Sequence, residues 1–411
     1  ESLDWDNTGN LYIEGDNLQA LKMLQGSYLG KVKMIYIDPP YNTGNEFVYN
    51  DDFRQNQEDY VKESGEIDEV SGARLVSKAF TLNANTSPRY HSLWCSMMYS
   101  RLLIARDLLR RDGVIFISID DHEQHHLRDI CDEIFGERNF VAQFVWKKKQ
   151  GGANDTGAVV IDHEYILLYA KDLDSADLGL DYEATPDSEG YPFEDDKGRY
   201  NLITLDKSSI RKSASLIFEI EGPNGEIYRP RVVKGVQSCW RWSKEKVLQD
   251  YDQLVFKDGK VYTKNYMKAG VKPRSLLIEA NRFGRTNHGK KDLQHLFETC
   301  PFSYPKPVAL VKYLLSLING RDFTVLDFFS GSATTAEAVI SANAKDGGNR
   351  RFILVQLPEE CTESTSEAQV GYRNICEIGK ERIRRVAQAI ASQVDCTKTV
   401  HGGGYEGFRQ V

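Results

Sequence analysis

The stretch KVKMIYIDPPYNTGN, early in the sequence, combines a short apolar run with a carboxylate, two prolines and an aromatic ring. The run at 32–37 predicts a buried strand of a parallel sheet. Neither Pro39 nor Pro40 can donate a hydrogen bond to a neighbouring strand, and each restrains the residue before it. We therefore expect the strand to end there. A stiff loop then presents Asp38 and Tyr41 at its carboxyl end, where open α/β sheets bind ligands.

These groups suit a transfer reaction onto the exocyclic amine of a nucleobase. Such an amine is a poor nucleophile because its lone pair is delocalised into the ring. Asp38 and the Pro39 carbonyl can accept both N–H hydrogens and stabilise the positive charge that grows as nitrogen attacks. Tyr41 can stack on the base, which must already be out of its duplex. The alternative is an ordinary strand followed by a Pro-Pro turn, in which Asp38 caps the turn and Tyr41 is half-buried.

A second loop, DFFSGSATT, runs from Asp327 to Thr335 after another predicted strand. It lacks the lysine of a phosphate-binding loop, and it has one glycine where a dinucleotide fingerprint has three. S-adenosylmethionine has no phosphate and needs neither. Asp327 would favour its ammonium and sulfonium, and backbone amides near Gly331–Thr334 would meet its carboxylate at a helix N-terminus. Alone, the loop also fits an ordinary strand–helix turn; together, the two loops predict a methyl donor beside a methyl acceptor.

Composition restricts the class of protein. The 411 residues are 41% hydrophobic and 27% charged, as in ordinary soluble globular proteins, and the length fits two or three domains. The sequence has no apolar run near the roughly 20 residues of a membrane span and no recognisable signal peptide, so we expect a cytoplasmic protein. Seven scattered cysteines without a C-x-x-C pair predict reduced thiols.

The charge is distributed unevenly along the chain. The net charge is −8, yet residues 197–300 carry 21 Lys and Arg against 11 Asp and Glu. A basic segment inside an acidic chain is typical of a module that binds a polyanion, so this segment is a candidate for nucleic-acid contact.

Hydrophobic periodicity predicts the elements that must position the two loops. Strands are expected at 10–15, 32–37, 114–119, 140–146, 164–169, 323–329 and 351–357, with further strand-like pieces at 215–220 and 227–233. Helices are expected at 18–28, 90–111, 121–135, 307–319, 334–344 and 372–391. The hydrophilic segment 54–89 is interpreted as an inserted loop or small subdomain.

Two further patterns have weaker chemical interpretations. His122, His125 and His126 have the spacing of metal ligands on a helix, but their charged neighbours predict a solvated face, and we expect no metal site. The run Lys147–Lys149 follows a predicted strand into a glycine-containing segment, and we interpret it as a candidate phosphate contact.

The sequence resembles the β-class DNA amino-methyltransferases, in particular the modification (Mod) subunits of type III restriction–modification systems. The resemblance covers most of the chain apart from roughly 54–89 and 172–300. The stretches that carry it include GNLYIEGDNLQALKMLQ, KVKMIYIDPPYNTGNEFVYNDDF, YHSLWCSMMYSRL, DGVIFISIDDHE and VLDFFSGSATTAEAV. It implies a Rossmann-like methyltransferase sheet in permuted order. The catalytic half would be 1–171, an inserted, mostly β or α+β target-recognition domain 172–300, and the cofactor-binding half 301–411.

The resemblance also assigns roles to individual positions. The implied catalytic residues are Asp38, Pro39, Pro40 and Tyr41. The implied cofactor-binding residues are Asp16, Lys306, Pro307, Asp327, Phe328, Phe329, Gly331, Ser332, Thr334 and Gln356. Asp16 and Gln356 are expected to flank the adenosine. Where relatives commonly read F-x-G-S-G-T-T, this chain reads F-S-G-S-A-T-T, so Ala333 predicts a slightly different loop shape.

The implied function is site-specific methyl transfer from S-adenosylmethionine to adenine N6 of double-stranded DNA after base flipping, in a prokaryotic cytoplasm. A homodimer and a restriction (Res) helicase–nuclease subunit are the expected partners. Cytosine-N4 methylation is the nearest alternative, and a subunit that mainly directs a nuclease to DNA is an alternative of another class. A glutamine-amide methyltransferase is disfavoured by the basic segment. Family members extend beyond both ends of this sequence, so we expect the chain to belong to a longer protein.

Overall fold

The computed structural model describes residues 8–44, 47–49, 80–82, 90–151, 159–184, 188–207, 213–233, 235–361, 371–396 and 408–410. The chain divides into two compact units. One unit is Leu180–Pro273, and the other, larger unit combines Glu1–Gly179 with Arg274–Val411.

The described strands and helices follow in chain order. The strands are β1 (Asn10–Glu14), β2 (Val32–Ile37), β3 (Phe47–Tyr49), β4 (Phe80–Leu82), β5 (Leu109–Ile119), β6 (Phe140–Lys147), β7 (His163–Ala170), β8 (Phe193–Asp195), β9 (Gly198–Thr204), β10 (Asp206–Lys207), β11 (Ile220–Glu221), β12 (Ile227–Tyr228), β13 (Val232–Val233), β14 (Val236–Gln237), β15 (Cys239–Trp240), β16 (Leu254–Lys257), β17 (Lys260–Tyr266), β18 (Leu276–Leu277), β19 (Thr324–Asp327), β20 (Arg351–Gln356) and β21 (Phe408–Gln410). The α-helices are α1 (Asn17–Tyr28), α2 (Tyr90–Leu108), α3 (Gln124–Cys131), α4 (Lys244–Gln249), α5 (Ala280–Phe283), α6 (Thr286–Phe297), α7 (Val308–Ser316), α8 (Thr334–Asp346) and α9 (Ile375–Cys396).

A nine-stranded sheet forms the centre of the larger unit. Its order is β18-β6-β7-β5-β2-β19-β20-β1-β21. The strands from β5 to β21 in this order pair in parallel, whereas β7 pairs antiparallel with both β5 and β6. The predicted Rossmann-like α/β fold is confirmed, including the permuted order: the strand before the Asp-Pro-Pro-Tyr loop comes early in the chain and its neighbour β19 comes late.

Helices cover both faces of this sheet, which explains the apolar character of its central strands. On one face, α1, α2 and α3 pack on side chains such as Ile35 and Ile117. On the other, α7, α8 and α9 pack on side chains such as Met34 and Phe116. Every residue of β2 is buried, and even Lys33 is accommodated by an ion pair to Asp112 at 3.0 Å.

Several predicted boundaries in this unit were wrong. The helix predicted to end at 111 ends at Leu108, and β5 begins immediately, at Leu109 instead of residue 114. At Gly113 the backbone of β5 lies so close to β2 that an added Cβ would be 3.0 Å from the Val32 carbonyl oxygen. Gly113 therefore permits a close strand approach and does not end the strand. The helix predicted for 121–135 is shorter: α3 is followed by a π-helical turn at Asp132–Gly136.

The smaller unit is built on the antiparallel sheet β16-β17-β9-β8, with short two-stranded ladders beside it. A small core includes Leu205, Trp240 and Val261. The predicted strand at 215–220 was wrong, because this stretch is mostly a 3₁₀ turn and coil. The predicted strand at 227–233 divides into β12 and β13 because Pro230 lies between them and cannot donate a ladder hydrogen bond.

The smaller unit is also narrower than the predicted insert of 172–300. Strand β18 pairs with β6 of the large sheet, so the chain after Pro273 belongs to the larger unit. The interval 180–273 contains 16 Lys and Arg against 15 Asp and Glu. The local basic excess therefore does not describe this unit as a whole, since an acidic stretch precedes the basic one.

Other expectations concern the insertion and the sequence class. The segment predicted as an insertion at 54–89 lies outside the described residues, apart from β4, which pairs with β3. Six cysteines of the described residues are free thiols, as predicted: Cys95, Cys131, Cys239, Cys300, Cys361 and Cys376. In the part of the chain that the structure describes, no helix has the length and apolar character needed to cross a membrane.

Candidate active site

The two chemically interesting loops open on the same edge of the sheet. Strands β2 and β19 are parallel neighbours, with Ile35 opposite Leu326 in the register. Asp38 follows the last residue of β2, and Asp327 is the last residue of β19. The prediction that these strand ends are adjacent is confirmed, because parallel neighbours align their carboxyl ends.

The Asp-Pro-Pro-Tyr loop is held by contacts from helix α2 and from within the loop. The indole Nε1 of Trp94 donates to the Pro40 carbonyl at 2.7 Å, so that carbonyl is already occupied. The Tyr41 hydroxyl donates to Asp38 Oδ1 at 2.9 Å. Asn42 follows in the left-handed region, with φ of 61°. The Pro39 carbonyl, which the predicted chemistry needs, belongs to the residue just before this anchored Pro40.

The side chain of Lys306 contacts the Asp-Pro-Pro-Tyr loop and forms a charged cluster with Asp38, Tyr41 and Glu164. Its predicted role as a cofactor-binding residue implied a place beside the second loop only. Its ammonium is 3.1 Å from Asp38 Oδ1 and 2.9 Å from Glu164 Oε2, and it donates to the Tyr41 hydroxyl at 2.7 Å. The Lys306 backbone carbonyl accepts from the Thr334 hydroxyl at 3.3 Å. One residue therefore contacts both loops, while the following residue, Pro307, occupies the N-cap position of helix α7.

The ionisation of this cluster follows from its burial and its charge pairs. Burial raises the pKa of Asp38, which the nearby Lys306 ammonium offsets only in part. Burial alone would raise the pKa of Glu164. The ammonium groups of Lys306 and Lys148 outweigh this effect and hold the pKa of Glu164 below its usual range. Burial alone would lower the pKa of Lys306. The carboxylates of Asp38 and Glu164 outweigh this effect and raise the pKa of Lys306. Lys306 is therefore a fixed cation between two carboxylates.

Glu164 was missed from the sequence, although it is the second residue of strand β7 and directly precedes the apolar run of that strand. Because β7 is antiparallel to β5, its beginning lies at the edge where β5 and β2 end. Its Oε2 lies 3.1 Å from the Tyr41 hydroxyl oxygen, as an alternative acceptor to Asp38. The available signal was a charged residue at the start of the apolar run EYILLYA. This signal points to the site only if the strand is known to be antiparallel to β5.

Asp327 lies at the base of the second loop and is almost fully buried. It accepts hydrogen bonds from the Thr335 hydroxyl at 2.5 Å and from the Phe329 amide at 3.1 Å. Burial raises its pKa to about 7, against the lowering effect of these two donors. The Phe328 ring is fully buried, and the carbonyl of this residue accepts from the Asn17 side chain at 2.8 Å.

Gln356 and Asp16 lie on the neighbouring elements, β20 and the start of α1. The Gln356 side chain accepts from the Gly331 amide at 2.7 Å, so it braces the loop directly. Its backbone carbonyl accepts from the Gly15 amide at 3.0 Å, which brings Asp16 to the same region. Asp16 caps helix α1, where its side chain accepts from the Gln19 amide.

The sequence predicts that the backbone amides of the second loop are available to a ligand carboxylate, but not all of them are. Of the amides at Gly331–Thr334, that of Gly331 is already bonded to Gln356 and that of Ala333 to the Ser330 carbonyl at 2.8 Å. Ala333 adopts φ of 63° and ψ of 36°, the left-handed conformation that costs a residue with a Cβ roughly 1–2 kcal/mol. The loop thus keeps a glycine-like backbone at this position despite the alanine.

Arg382 of helix α9 is a second residue that sequence reasoning missed. Its side chain is completely buried and donates to the Ser332 carbonyl, to the hydroxyls of Ser332 and Thr334, and to Glu337 at 2.7 Å. A buried guanidinium with these partners holds the loop against helix α8. No local motif marks it, because the contact joins segments nearly 50 residues apart in sequence.

The two weaker sequence patterns have structural partners. Within the run Lys147–Lys149, the candidate phosphate contact, Lys148 pairs with Glu164 at 3.1 Å. Of the three histidines, His122 bonds Asp120 and His125 packs on His126, so the three side chains do not converge on a common point. His126 bonds Glu123.

These features define an α/β enzyme-like unit with a carboxylate–aromatic loop and a nucleotide-type loop on adjacent strands. A model of the N6/N4 DNA methylase family matches residues 32–384. The match includes both loops and most of the chain. The chain therefore belongs to the N6/N4 DNA methylase family.

Particular relatives include Mod subunits of type III restriction–modification enzymes. The chain is 37% identical to the EcoPI Mod subunit of Escherichia phage P1, over 92% of this chain and 62% of that protein. It is 37% identical to the StyLTI Mod subunit of Salmonella typhimurium, over 96% of this chain and 59% of that protein. It is 29% identical to the type II methyltransferase M.KpnI of Klebsiella pneumoniae, over 93% of this chain and 88% of that protein. The chain thus spans less than two thirds of the length of these two Mod subunits.

Proposed function

We propose that this chain methylates the N6 amine of adenine in double-stranded DNA, with S-adenosylmethionine as donor, as the modification part of a type III-like system. The observation that carries the proposal is the placement of Asp38 and Asp327 at the ends of adjacent parallel strands. Family membership and the similarity to Mod subunits support it.

The second loop fits a cationic, phosphate-free cofactor. Its buried carboxylate, Asp327, suits a positively charged ligand, and the N-terminus of the 13-residue helix α8 suits a carboxylate. Lys306 adjoins this loop, but its ammonium is engaged by Asp38 and Glu164, which makes it a poor phosphate ligand. Bound there, S-adenosylmethionine supplies an electrophilic methyl group. Asp327 is then assigned to the ammonium and sulfonium of the cofactor, and the amides of Ser332 and Thr334 to its carboxylate.

The first loop performs the acceptor half of the reaction. Asp38 and the Pro39 carbonyl accept the two N–H groups of the flipped base, and Tyr41 stacks on its face. The raised pKa of Asp38 also suits a carboxylate that takes up the N6 proton as the new N–C bond forms. Lys306 keeps this carboxylate in place before the base arrives.

Sequencing of methylated DNA tests the proposal. The purified protein is incubated with mixed-sequence duplex DNA and S-adenosylmethionine, and the product is sequenced with detection of modified bases. N6-methyladenine at a single short site is the expected result. N4-methylcytosine would overturn the choice of base, and unmodified DNA from a folded, cofactor-binding protein would overturn the proposed function.

Tyr41→Ala is expected to weaken capture of the flipped base by about 1–3 kcal/mol, since a stacking surface is lost. Tyr41→Phe is the matched control, because it keeps the ring and removes the hydroxyl that bonds Asp38 and Glu164. The fluorescence of 2-aminopurine at the target position reports flipping. A signal in Tyr41→Ala equal to that of wild type would restrict Tyr41 to a structural role.

The affinity for S-adenosylmethionine is expected to rise with pH across the titration of Asp327, whose pKa is raised to about 7. The ionised carboxylate attracts the cationic ligand, whereas the protonated form does not. The same raised pKa means that Asp327 stabilises the fold fully below its ordinary value of 3.8 and loses this contribution as pH rises through about 7.

Calorimetric titrations of wild type and Asp327→Asn on both sides of neutral pH check this expectation. The variant retains the ligand's own titration and should lose the part of the pH dependence that belongs to Asp327. Identical pH profiles for the two proteins would contradict the assignment.

We further propose that Leu180–Pro273 recognises the DNA sequence. The unit is compact and interrupts the two halves of the sheet-forming chain. Lys264 lies 5.0 Å from the ring of Tyr200, which contacts Phe193 and Tyr266, and it pairs with Asp195 at 2.7 Å. A cluster of aromatic rings of this kind offers stacking surfaces for bases. Exchange of 180–273 for the corresponding unit of a relative should move the methylated site and keep the acceptor base. Retention of the original site would refute this role.

The same proposal includes a Res-type partner, which the description of these relatives as Mod subunits of restriction–modification enzymes supports. It also includes a homodimer, which is expected from the sequence resemblance alone. The mass of the purified protein in solution, alone and with a Res subunit, tests both.

A further inference from the structure

Two histidines and a glutamate form a compact cluster outside the proposed chemistry. The Nδ1 atoms of His91 and His126 lie 2.6 and 2.7 Å from the two carboxylate oxygens of Glu123. The potential ligand atoms of the three residues all lie within 4.8 Å of one another. His91 belongs to helix α2, while Glu123 and His126 lie at the start of helix α3.

The surroundings of the cluster resemble those of a metal site. Glu123 is fully buried, and the Asn42 side chain donates to its Oε1 at 2.5 Å. Such outer hydrogen bonds commonly orient a ligating carboxylate. The His91 side chain is 51% exposed, which leaves an open side for a water ligand and for entry of an ion.

We propose that these three side chains bind one divalent transition-metal ion, with Zn²⁺ as the best match. Two imidazole nitrogens and one carboxylate oxygen are ligands that Zn²⁺ prefers, whereas Mg²⁺ and Ca²⁺ prefer oxygen alone. Each ring coordinates through the Nδ1 that faces Glu123 and keeps its proton on Nε2, and water completes a tetrahedron. The sequence-based expectation of no metal considered His122, His125 and His126 and placed Glu123 among the neighbours on a solvated face. That placement was wrong for Glu123, which is buried, and the expectation did not consider His91, which lies on another helix.

The site has a direct connection to the proposed acceptor loop. Asn42 bonds Glu123 and immediately follows Tyr41. A bound ion fixes Glu123 between α2 and α3 and so restrains the backbone that carries Tyr41. The ion is therefore a positioning device at a distance from the reacting atoms, and its binding does not depend on the methyltransferase proposal.

Metal titration of the full chain tests the inference. The protein is stripped with a chelator, dialysed and titrated with Zn²⁺ by calorimetry, and with Co²⁺ while its visible absorption is recorded. We expect a site of one ion per chain, a tetrahedral Co²⁺ spectrum with nitrogen and oxygen ligands, and a higher melting temperature with Zn²⁺.

Variants separate this site from other metal-binding groups. His91→Ala and His126→Ala should each weaken Zn²⁺ binding by at least about tenfold and abolish the Zn²⁺-dependent shift in melting temperature. His122→Ala is the matched control, since His122 lies on the same segment but bonds Asp120, and it should bind Zn²⁺ as wild type does. Because His91 is half-exposed, its variant should keep the wild-type circular dichroism spectrum even if His126→Ala unfolds.

Equal Zn²⁺ affinity in wild type and a folded His91→Ala variant would overturn the inference, as would the absence of any saturable Zn²⁺ binding to wild type. Either result would identify the cluster as a hydrogen-bond network only. Methylation is measured separately on the same samples, so a failure of the proposed function and a failure of this site remain distinguishable.

Discussion

Asp38→Ala is expected to lower single-turnover methylation by two to three orders of magnitude, a loss of about 3–4 kcal/mol of transition-state stabilisation. The carboxylate accepts an amine hydrogen whose positive charge grows during attack, so its removal affects the transition state more than the bound ground state. Cofactor affinity should change little, because Asp327 and the second loop remain intact.

Quenched-flow methylation with saturating cofactor measures the rate, and calorimetry with S-adenosylmethionine measures the affinity. Asp38→Asn is the comparison variant, since it keeps the shape and one acceptor oxygen, and it should lose less activity. A folded Asp38→Ala protein with turnover near that of wild type would remove Asp38 from the mechanism.

Lys306→Met is expected to produce the largest loss of stability, about 3–5 kcal/mol, because breaking a buried ion pair leaves uncompensated charge. Its side chain is 13% exposed and lies 3.1 Å from Asp38 and 2.9 Å from Glu164. Without the ammonium, the two carboxylates repel each other and the pKa of Asp38 should rise further. Turnover should fall as well, because the loop loses the contact that positions it.

Urea unfolding measures the change in free energy. Lys148→Met is the matched control: Lys148 also pairs with Glu164, at 3.1 Å, but its side chain is 24% exposed, so the loss should be smaller. Addition of Glu164→Gln to Lys306→Met should recover part of the stability, since it removes one of the two unpaired carboxylates. If Lys306→Met is as stable as wild type, the cluster contributes little to the fold.

The sequence by itself determined the two loops and the strands that carry them. The apolar run at 32–37 and the prolines that follow it are local features, and local sterics suffice to end a strand at that point. The run before Asp327 is equally local. That both loops open on one edge also followed from the sequence, because parallel strands joined by right-handed crossovers align their carboxyl ends. Adjacency of the two strands was a requirement of the expected chemistry, and the pairing of β2 with β19 meets it.

Only the tertiary structure decided which other side chains complete the site. Glu164 reaches it because β7 runs antiparallel, and a strand's direction is set by its partners and not by its own pattern. Lys306 serves both loops because its ammonium and its backbone carbonyl contact different segments. His91 and Glu123 meet because helices α2 and α3 pack on one face of the sheet. Hydrophobic periodicity reports which face of an element is buried, whereas long-range pairing of polar groups depends on how the buried elements are stacked.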